Sequence, residues 1–338
     1  MTEPLIGVGV PVWRGAAFVV ETLQSILDQQ RVRFKVVVSI DGADAESERA
    51  CRPFASDPRV RIIMQPRRLG WVRNTAAALA AACDGAEFVC VQPHDDWIEP
   101  DYLEVLLDAV RNCPQTAVAF CDLVTFGALH GIPPQDSVTG TPVQRQLTLL
   151  GRHYNAPAFR GLTRASALAR VPPISGNQQG DFACDTVWMA RLARTGELMR
   201  VPRALYHKRY HAGSAHAAWS VWPAERKIAA WTQHCLDMLA EALIVTLDPD
   251  DRWLLIEAAR RRLVLADGDL GPYAAEIRAM PSWHRFRMRA RFEAGASGRS
   301  DIGPLARTTH ERLLSTAGRA IEALGRGVRV IAPPPFTP

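Results

Sequence analysis

The sequence predicts an α/β protein: a mostly parallel sheet flanked by helices, followed by an all-helical C-terminal extension. Short apolar runs of strand type alternate with helical patterns through the first half of the chain, which implies βαβ units. Beyond about residue 220 only helical patterns remain. A length of 338 residues with 48% hydrophobic content allows a sizeable core, in one large domain or two smaller ones.

Residues 5–13 read as a buried strand, and 16–30 as an amphipathic helix with Phe18, Leu23, Ile26 and Leu27 among its apolar positions. Residues 34–40 form a second strand, ending at Asp41-Gly42. A third strand over 60–65 leads through a polar loop into the alanine-rich helix 71–83. Strand 88–92, helix 102–111 and strand 117–126 complete the alternation. The Gly- and Pro-rich stretch 127–141 reads as a surface loop or lid. A short strand is expected near 158–162, then a loop over 171–180, a helix over 182–194, and strand-like runs at 197–201 and 204–210. Helices are expected over 223–247, 249–266, 273–280 and 308–324, the second opened by Asp248 as cap and Pro249 at the first helical position. The change of character near 215–222 divides the chain into a domain of residues 1–218 and a helical region of 219–338. The tail from residue 332 is expected to be disordered.

Composition excludes several classes. The net charge of +5 is carried mostly by dispersed arginines, without a lysine-rich tail; it fits an acidic small ligand or a loose membrane-surface association as well as nucleic acid and decides little, and no nucleic-acid partner is expected. Seven cysteines, none in a C-x-x-C pair, argue against a disulfide framework or a cysteine zinc site and fit a reducing cytoplasm. The first residues enter a strand without a charged and apolar leader, and no window approaches about 20 apolar residues, so neither a secretory signal nor a membrane span is expected.

The most informative stretch runs from Phe88 to Tyr102. An apolar strand stops at His94-Asp95-Asp96, and a helix start follows. Ligands of α/β sheets bind at the carboxyl ends of strands. Adjacent carboxylates repel, and a divalent cation holding a diphosphate is the simplest reason to place them there. The plainer reading is a polar turn with Asp96 as a helix cap. Pro11-Val12-Trp13 and Asp41-Gly42 end two other strands and share that edge. Asp41 reads either as an acceptor for a base or ribose, or as a turn residue before glycine. Arg73 lies in the first turn of a helix, where backbone amides and the dipole favour phosphate, though a solvated arginine is the simpler account. There is no G-x-G-x-x-G and no Walker loop. Downstream, Asp185 opens a helix, as a structural carboxylate or a general base. His211 sits among cationic residues, as a structural group or a metal ligand.

Taken together, "VGVPVWRGAAFVVETLQSILDQ", "VVVSIDGAD" and "GWVRNTAAALAAACDGAEFVCVQPHDDWIEPDYLE" resemble, in order and spacing, the blocks of the family 2 nucleotide-sugar glycosyltransferases, which have the GT-A fold. The resemblance spans roughly residues 5–215 and includes the Asp185 and His211 blocks. It implies that Asp41 contacts the nucleobase while Pro11 and Val12 line its pocket, and that Arg73 lies near the diphosphate. It also implies Asp95 at the ribose or sugar, Asp96 and His211 on Mn²⁺ or Mg²⁺, and Asp185 as catalytic base.

The chain departs from that pattern at Pro93 and His94, where many members have an aspartate and a small residue, at Cys184, where an acid is usual, and at Ile40. His94 is a candidate for a donor contact of its own. The implied activity is inverting transfer from a nucleotide-diphosphate sugar, UDP-linked in the first instance and dTDP- or GDP-linked otherwise. The acceptor is a glycan, a lipid-linked molecule or a small molecule. The alanine- and arginine-rich composition suggests a bacterial setting in glycan or glycoconjugate synthesis. Two rival readings are a non-catalytic binding or scaffold protein, kept open by Pro93 and Cys184, and a sugar-1-phosphate nucleotidyltransferase, whose glycine-rich basic segment is missing at Pro11–Gly15. Residues 281–292 interleave arginines with aromatics, which suits an anionic membrane surface at the inner face, a solvated helix or a homo-oligomer contact.

Overall fold

The structure is a computed structural model that describes residues 3–132, 136–151, 156–264, 292–293 and 296. The helices expected over 273–280 and 308–324, the arginine–aromatic run 281–291 and the tail lie outside the described residues.

One eight-stranded mixed sheet organises the chain. Strand β1 (Leu5–Val12) pairs in parallel with β2 (Arg33–Ile40) and β4 (Phe88–Val91), and β3 (Val60–Met64) extends the sheet beyond β2. The even-numbered residues of β1, Ile6, Val8, Val10 and Val12, face a core shared with Leu23 and Ile26 of helix α1 (Val19–Leu27) and with Leu103 and Leu106 of helix α4 (Tyr102–Arg111). The opposite face carries Gly7 and Gly9. A Cβ on Gly7 would lie 2.1 Å from the Ala82 carbonyl oxygen, and one on Gly9 would lie 3.0 Å from the Ala78 carbonyl carbon. The alanine-rich helix α3 (Trp71–Cys83) therefore lies directly on the backbone of β1, which explains why both partners lack bulk there.

The chain runs outward from β1 to β3 and returns on the other side of β1 as β4. That reversal creates a crevice at the carboxyl ends of β1 and β4. Beyond β4 the sheet becomes mixed. Strand β7 (Leu162–Arg164) is antiparallel to β4 and to β6 (Thr116–Gly127), β8 (Glu197–Tyr210) is parallel to β6, and the two-residue β5 (Trp97–Ile98) pairs antiparallel with β8 at the edge.

Several local expectations change. The strand expected near 158–162 is a 3₁₀ turn, Pro157–Arg160, entered through the left-handed Ala156 (φ 47°), with β7 starting only at Leu162. The runs 197–201 and 204–210 are one strand. Asp122 pairs with Ala204 directly after Cys121 pairs with Val201, so Pro202 and Arg203 form a bulge where proline removes a ladder donor. Helices α2 (Ala45–Cys51), α5 (Pro142–Gly151), α6 (Ala165–Leu168) and α8 (Ala215–Ser220) were not anticipated.

Helix α7 (Cys184–Leu192) and the C-terminal helices α9 (Ala224–Leu243) and α10 (Pro249–Val264) pack on the second face of the sheet, where Phe159, Trp188, Trp231, Leu239 and Leu255 share one apolar cluster. Glu241 of α9 binds Arg191 of α7 at 2.8 Å and Arg194 just beyond it at 2.6 Å, which ties the helical region to α7. Among the described residues no helix is long and apolar enough to cross a membrane. All seven cysteines are free thiols.

Candidate active site

The donor side of the crevice is built from chain ends. Asp41, 1% exposed, accepts hydrogen bonds from the backbone amides of Leu69 (2.5 Å) and Gly70 (3.0 Å). Gly42 (φ +78°) has no Cβ because one would lie 2.8 Å from the Arg68 nitrogen. Asp41-Gly42 thus pins the loop that delivers α3. Arg73 is exposed in the first turn of α3. Val12 is fully buried beneath the crevice, and its carbonyl accepts from the Asp41 amide at 2.9 Å. Pro11 is half-buried, and its carbonyl accepts from His94 Nδ1 at 3.1 Å. Gly15 leaves space for that imidazole, since a Cβ there would lie 2.4 Å from His94 Cδ2. The Trp13 ring carries the Arg68 guanidinium at 4.4 Å and that of Arg14 at 5.4 Å, a cationic aromatic surface at the mouth.

The two acids after β4 face different partners. The Asp96 side chain is 1% exposed. Its Oδ2 accepts from Arg160 Nε (3.0 Å) and Tyr206 OH (2.9 Å), and its Oδ1 accepts from the Arg209 backbone amide (2.9 Å). Burial, and then the neighbouring Asp95 charge, push its carboxyl up. Asp95 accepts from His211 Nε2 at 3.0 Å. Burial pushes Asp95 up, but the His211 hydrogen bond and the charges of His94 and Arg160 outweigh it and leave the carboxyl below its usual range. The same hydrogen bond raises His211. The sequence joined Asp96 and His211 to one cation; the structure brings His211 to Asp95.

Asp185 opens α7 behind two left-handed residues, Asp181 (φ 59°) and Ala183 (φ 51°), which turn the chain into the helix. It is half-buried, and its Oδ1 accepts from the Thr186 amide at 2.9 Å. Burial raises its carboxyl, and the charges of Arg160 and Lys208 pull it back. A raised carboxyl is a better proton acceptor near neutral pH while still ionised.

Sequence reasoning missed Arg160, Tyr206, Lys208 and Arg209. Arg160 contacts the Phe159 and Tyr206 rings, and the Asp96 charge drives its affinity for the proton up against burial. Lys208 is 9% exposed. Burial, aided by Arg160, pulls its ammonium down to about 8, and Asp96, Asp185 and Asp95 hold it up.

The donor atoms decide which residues fit a divalent cation. Adjacent ligands of a six-coordinate ion at about 2.1 Å stand about 3 Å apart, and Asp95 Oδ2 and His211 Nε2 are separated by 3.0 Å. Both side chains reach solvent, at 17% and 24% exposure. Asp96 does not fit, because three protein donors enclose its oxygens. Among the described residues no cluster of three or more His, Cys, Asp or Glu could hold a metal ion. Two protein ligands with the rest from phosphate and water is a usual arrangement for a cation that arrives with a nucleotide.

A separate cavity of about 390 Å³ lies between the 175–178 loop, α7 and α9. Its polar walls are largely paired with one another, Gln233 to Asp237, Arg191 to Glu241 and Asn177 to the Phe182 carbonyl, so the crevice is the better candidate.

The family model "Glycosyl transferase family 2" matches residues 8–169. The chain is 26% identical over 167 residues to the chondroitin synthase of Escherichia coli, covering 49% of this chain and 21% of that protein. It is 28% identical over 134 residues to the glycosyltransferase GlyA of Streptococcus pneumoniae serotype 4, covering 39% of this chain and 18% of that protein. The chain thus spans about a fifth of the length of either relative.

In fold it is similar to Staphylococcus aureus TarS 1-349 in complex with UDP, at TM-score 0.61 and 15% identity over 96% of this chain and 92% of that one. It is also similar to the mannosyltransferase PcManGT from Pyrobaculum calidifontis in complex with GDP-Man and Mn²⁺, at TM-score 0.53 and 18% identity over 97% and 89%. The fold and the crevice define a glycosyltransferase domain of GT-A type. The chain carries a family 2 glycosyltransferase domain over residues 8–169.

Proposed function

We propose that the protein transfers one sugar, with inversion, from a nucleotide-diphosphate donor to an acceptor hydroxyl. The observation that supports this reading is that the Asp95–His211 pair and the half-buried Asp185 both lie within reach of the Arg160 charge. The acceptor oxygen attacks the anomeric carbon as Asp185 takes its proton, and the carbon–oxygen bond to the diphosphate breaks. Arg73 and the amides at the N-terminus of α3 would stabilise that diphosphate. Asp95 and His211 would hold a divalent cation, Mn²⁺ or Mg²⁺. Such an ion neutralises charge on the departing diphosphate. Asp96, locked to Arg160, Tyr206 and the Arg209 amide, fixes the position of Asp95.

Asp41, Pro11 and the Trp13 surface would take the base and ribose, with His94 beside them. UDP is the first donor to test, since TarS holds UDP, and GDP the second, since PcManGT holds GDP-Man. Residues 1–218 are read as the transferase domain and 219–338 as a helical region, of which α9 ties to α7 through Glu241. The acceptor is read as a glycan, a lipid-linked molecule or a small molecule, met in the cytoplasm or at the inner membrane face.

The test is thermal stability against UDP, GDP, dTDP and CDP, each with and without Mn²⁺. A nucleotide at about 100 times its Kd stabilises by about 2.7 kcal/mol. One nucleotide is expected to raise Tm only with the cation, and Asp95→Ala and His211→Ala are expected to abolish the shift. No shift with any pair would favour a binding or scaffold protein that lost the chemistry.

A further inference from the structure

Helix α1 buries Val19, Leu23 and Ile26, and among these apolar residues it also buries Thr22, 1% exposed. A buried hydroxyl needs partners. Thr22 Oγ1 lies 2.7 Å from the His94 carbonyl oxygen and 2.8 Å from that of Asp96, and its single proton can serve either one. The carbonyl between them, that of Asp95, accepts from Arg209 Nε at 3.1 Å. The same guanidinium donates to Glu21, the neighbour of Thr22 on α1. Three successive carbonyls of the 94–96 turn are thus held, two by α1 directly and one through β8.

Thr22 opens a polar row. Residues three and four apart share one face of a helix, and Ser25 and Gln29 follow at those intervals. Ser25 Oγ accepts from the Ile98 amide at 3.3 Å. Gln29, just past the end of α1, donates to the Glu99 carbonyl at 2.7 Å and accepts from the Leu103 amide at 2.9 Å. The row fastens the main chain of the acid turn, of β5 and of the start of α4 to one helix. Of the three side chains, Thr22 is the one bonded to the turn that carries Asp95. The side chains of that turn are oriented from elsewhere: His94 by the Pro11 carbonyl, Asp95 by His211, and Asp96 by Arg160, Tyr206 and the Arg209 amide.

We propose that Thr22 is a positioning residue for the cation side of the site: its hydroxyl draws the 94–96 turn onto α1 and so sets the place from which Asp95 meets His211. This rests on the reading of Asp95 and His211 as the residues that would hold a divalent cation. The two donor atoms stand 3.0 Å apart, a spacing that displacement of the turn would lose. Valine has the shape of threonine without the hydroxyl, and in its place the His94 and Asp96 carbonyls would lose the donor that holds the turn down. Groups that orient a metal ligand in this indirect way are worth about 10- to 100-fold in metal affinity.

The test pairs Mn²⁺ binding in the presence of UDP, followed by the EPR signal of the ion, with amide hydrogen exchange. In Thr22→Val the Mn²⁺ Kd is expected to rise by about 10- to 100-fold, while UDP affinity without the cation is unchanged. Thr22→Ser, which restores the hydroxyl, is expected to bind as the unaltered chain does. The Asp96 amide, bonded to the Pro93 carbonyl, and the Arg209 amide, bonded to Asp96, should exchange faster in Thr22→Val, and the Val105 amide of α4 at its original rate. Unchanged exchange at Asp96 and Arg209 overturns the proposal, as does a loss of UDP affinity that is equal with and without Mn²⁺, or a serine variant as impaired as the valine one. If the unaltered chain binds no Mn²⁺ with UDP, the cation reading fails, and the exchange rates still report whether Thr22 places the turn. Thermal melting checks the fold of the nearly isosteric valine variant, and Thr22→Ala, which sheds the same hydroxyl, is read in the same way if that variant does not melt cooperatively.

Discussion

The half of the sheet from β1 to β4 and the half from β5 to β8 contribute to the crevice in different ways. The first half is parallel and regular in register, and what it offers is mainly main chain: the Pro11 carbonyl, the loop pinned by Asp41 and the N-terminus of α3. The second half is mixed and bulged, and it supplies charged side chains: Arg160, Asp185, Lys208, Arg209 and His211. The family match ends at residue 169, before the proposed base and the cation-site histidine. Regular backbone suffices to hold a nucleotide by its common parts. Stabilising developing charge needs paired side chains brought from distant points of the chain, and these depend on irregular local structure.

The largest test of that contrast is Arg160→Met. It would leave Asp96, 1% exposed, with the Tyr206 hydroxyl and one amide but no ion-paired guanidinium. Removing one partner of a buried ion pair costs about 3–5 kcal/mol, and urea unfolding should show a loss of that size. Asp96→Asn in the same chain should recover much of the stability but not the turnover. A single-variant cost below about 1 kcal/mol, the range of exposed pairs, would mean that the second half is not built on buried charge.

In the first half the corresponding weak point is steric. Gly15→Ala would put a methyl group 2.4 Å from His94 Cδ2 and 2.9 Å from Val12 Cγ1. Overpacking of this kind costs about 1–3 kcal/mol. Because the imidazole is the group in the way, Gly15→Ala should cost much less in a His94→Ala background, and thermal melting of the four chains closes that cycle. Equal costs in both backgrounds would show that the backbone, not His94, sets the requirement for glycine.

The same contrast explains what could be read from the sequence. Strands β1 to β4 and helices α3 and α4 were legible because period-2 and period-3.6 patterns are local, and Asp95, Asp96 and Asp185 were legible because each ends or opens such a pattern. The partners were not. Arg160 lies 64 residues from Asp96, and Tyr206 lies 110 residues away. Neighbouring acids in a sequence carry no mark of which one faces His211; the β8 main chain holds the other by donating from Arg209 to Asp96. Helix α2 did leave a signal that went unread: Asp44 caps it by accepting from the Ser47 amide, with Glu46 and Glu48 in the first turn. The β8 bulge was also marked, by Pro202, but proline alone reads as a break as easily as a bulge.

The smallest effect is expected farthest from the crevice. Asp248 Oδ1 accepts from the amides of Asp250 and Asp251, both at 3.0 Å, and so opens α10. Asp248→Ala should lower stability by about 1 kcal/mol, the usual worth of an N-cap. Helix α10 lies behind α9, whose Glu241 grips Arg191 and Arg194 at the end of α7, and behind α5, where Arg262 donates to the Leu149 carbonyl. If the helical region merely braces that helix, kcat and donor KM should be unchanged in Asp248→Ala below its melting range. A fall in kcat with the fold intact would instead make α9 and α10 part of the machinery that places Asp185, and the division between donor-holding and charge-supplying regions would then extend into the C-terminal helices.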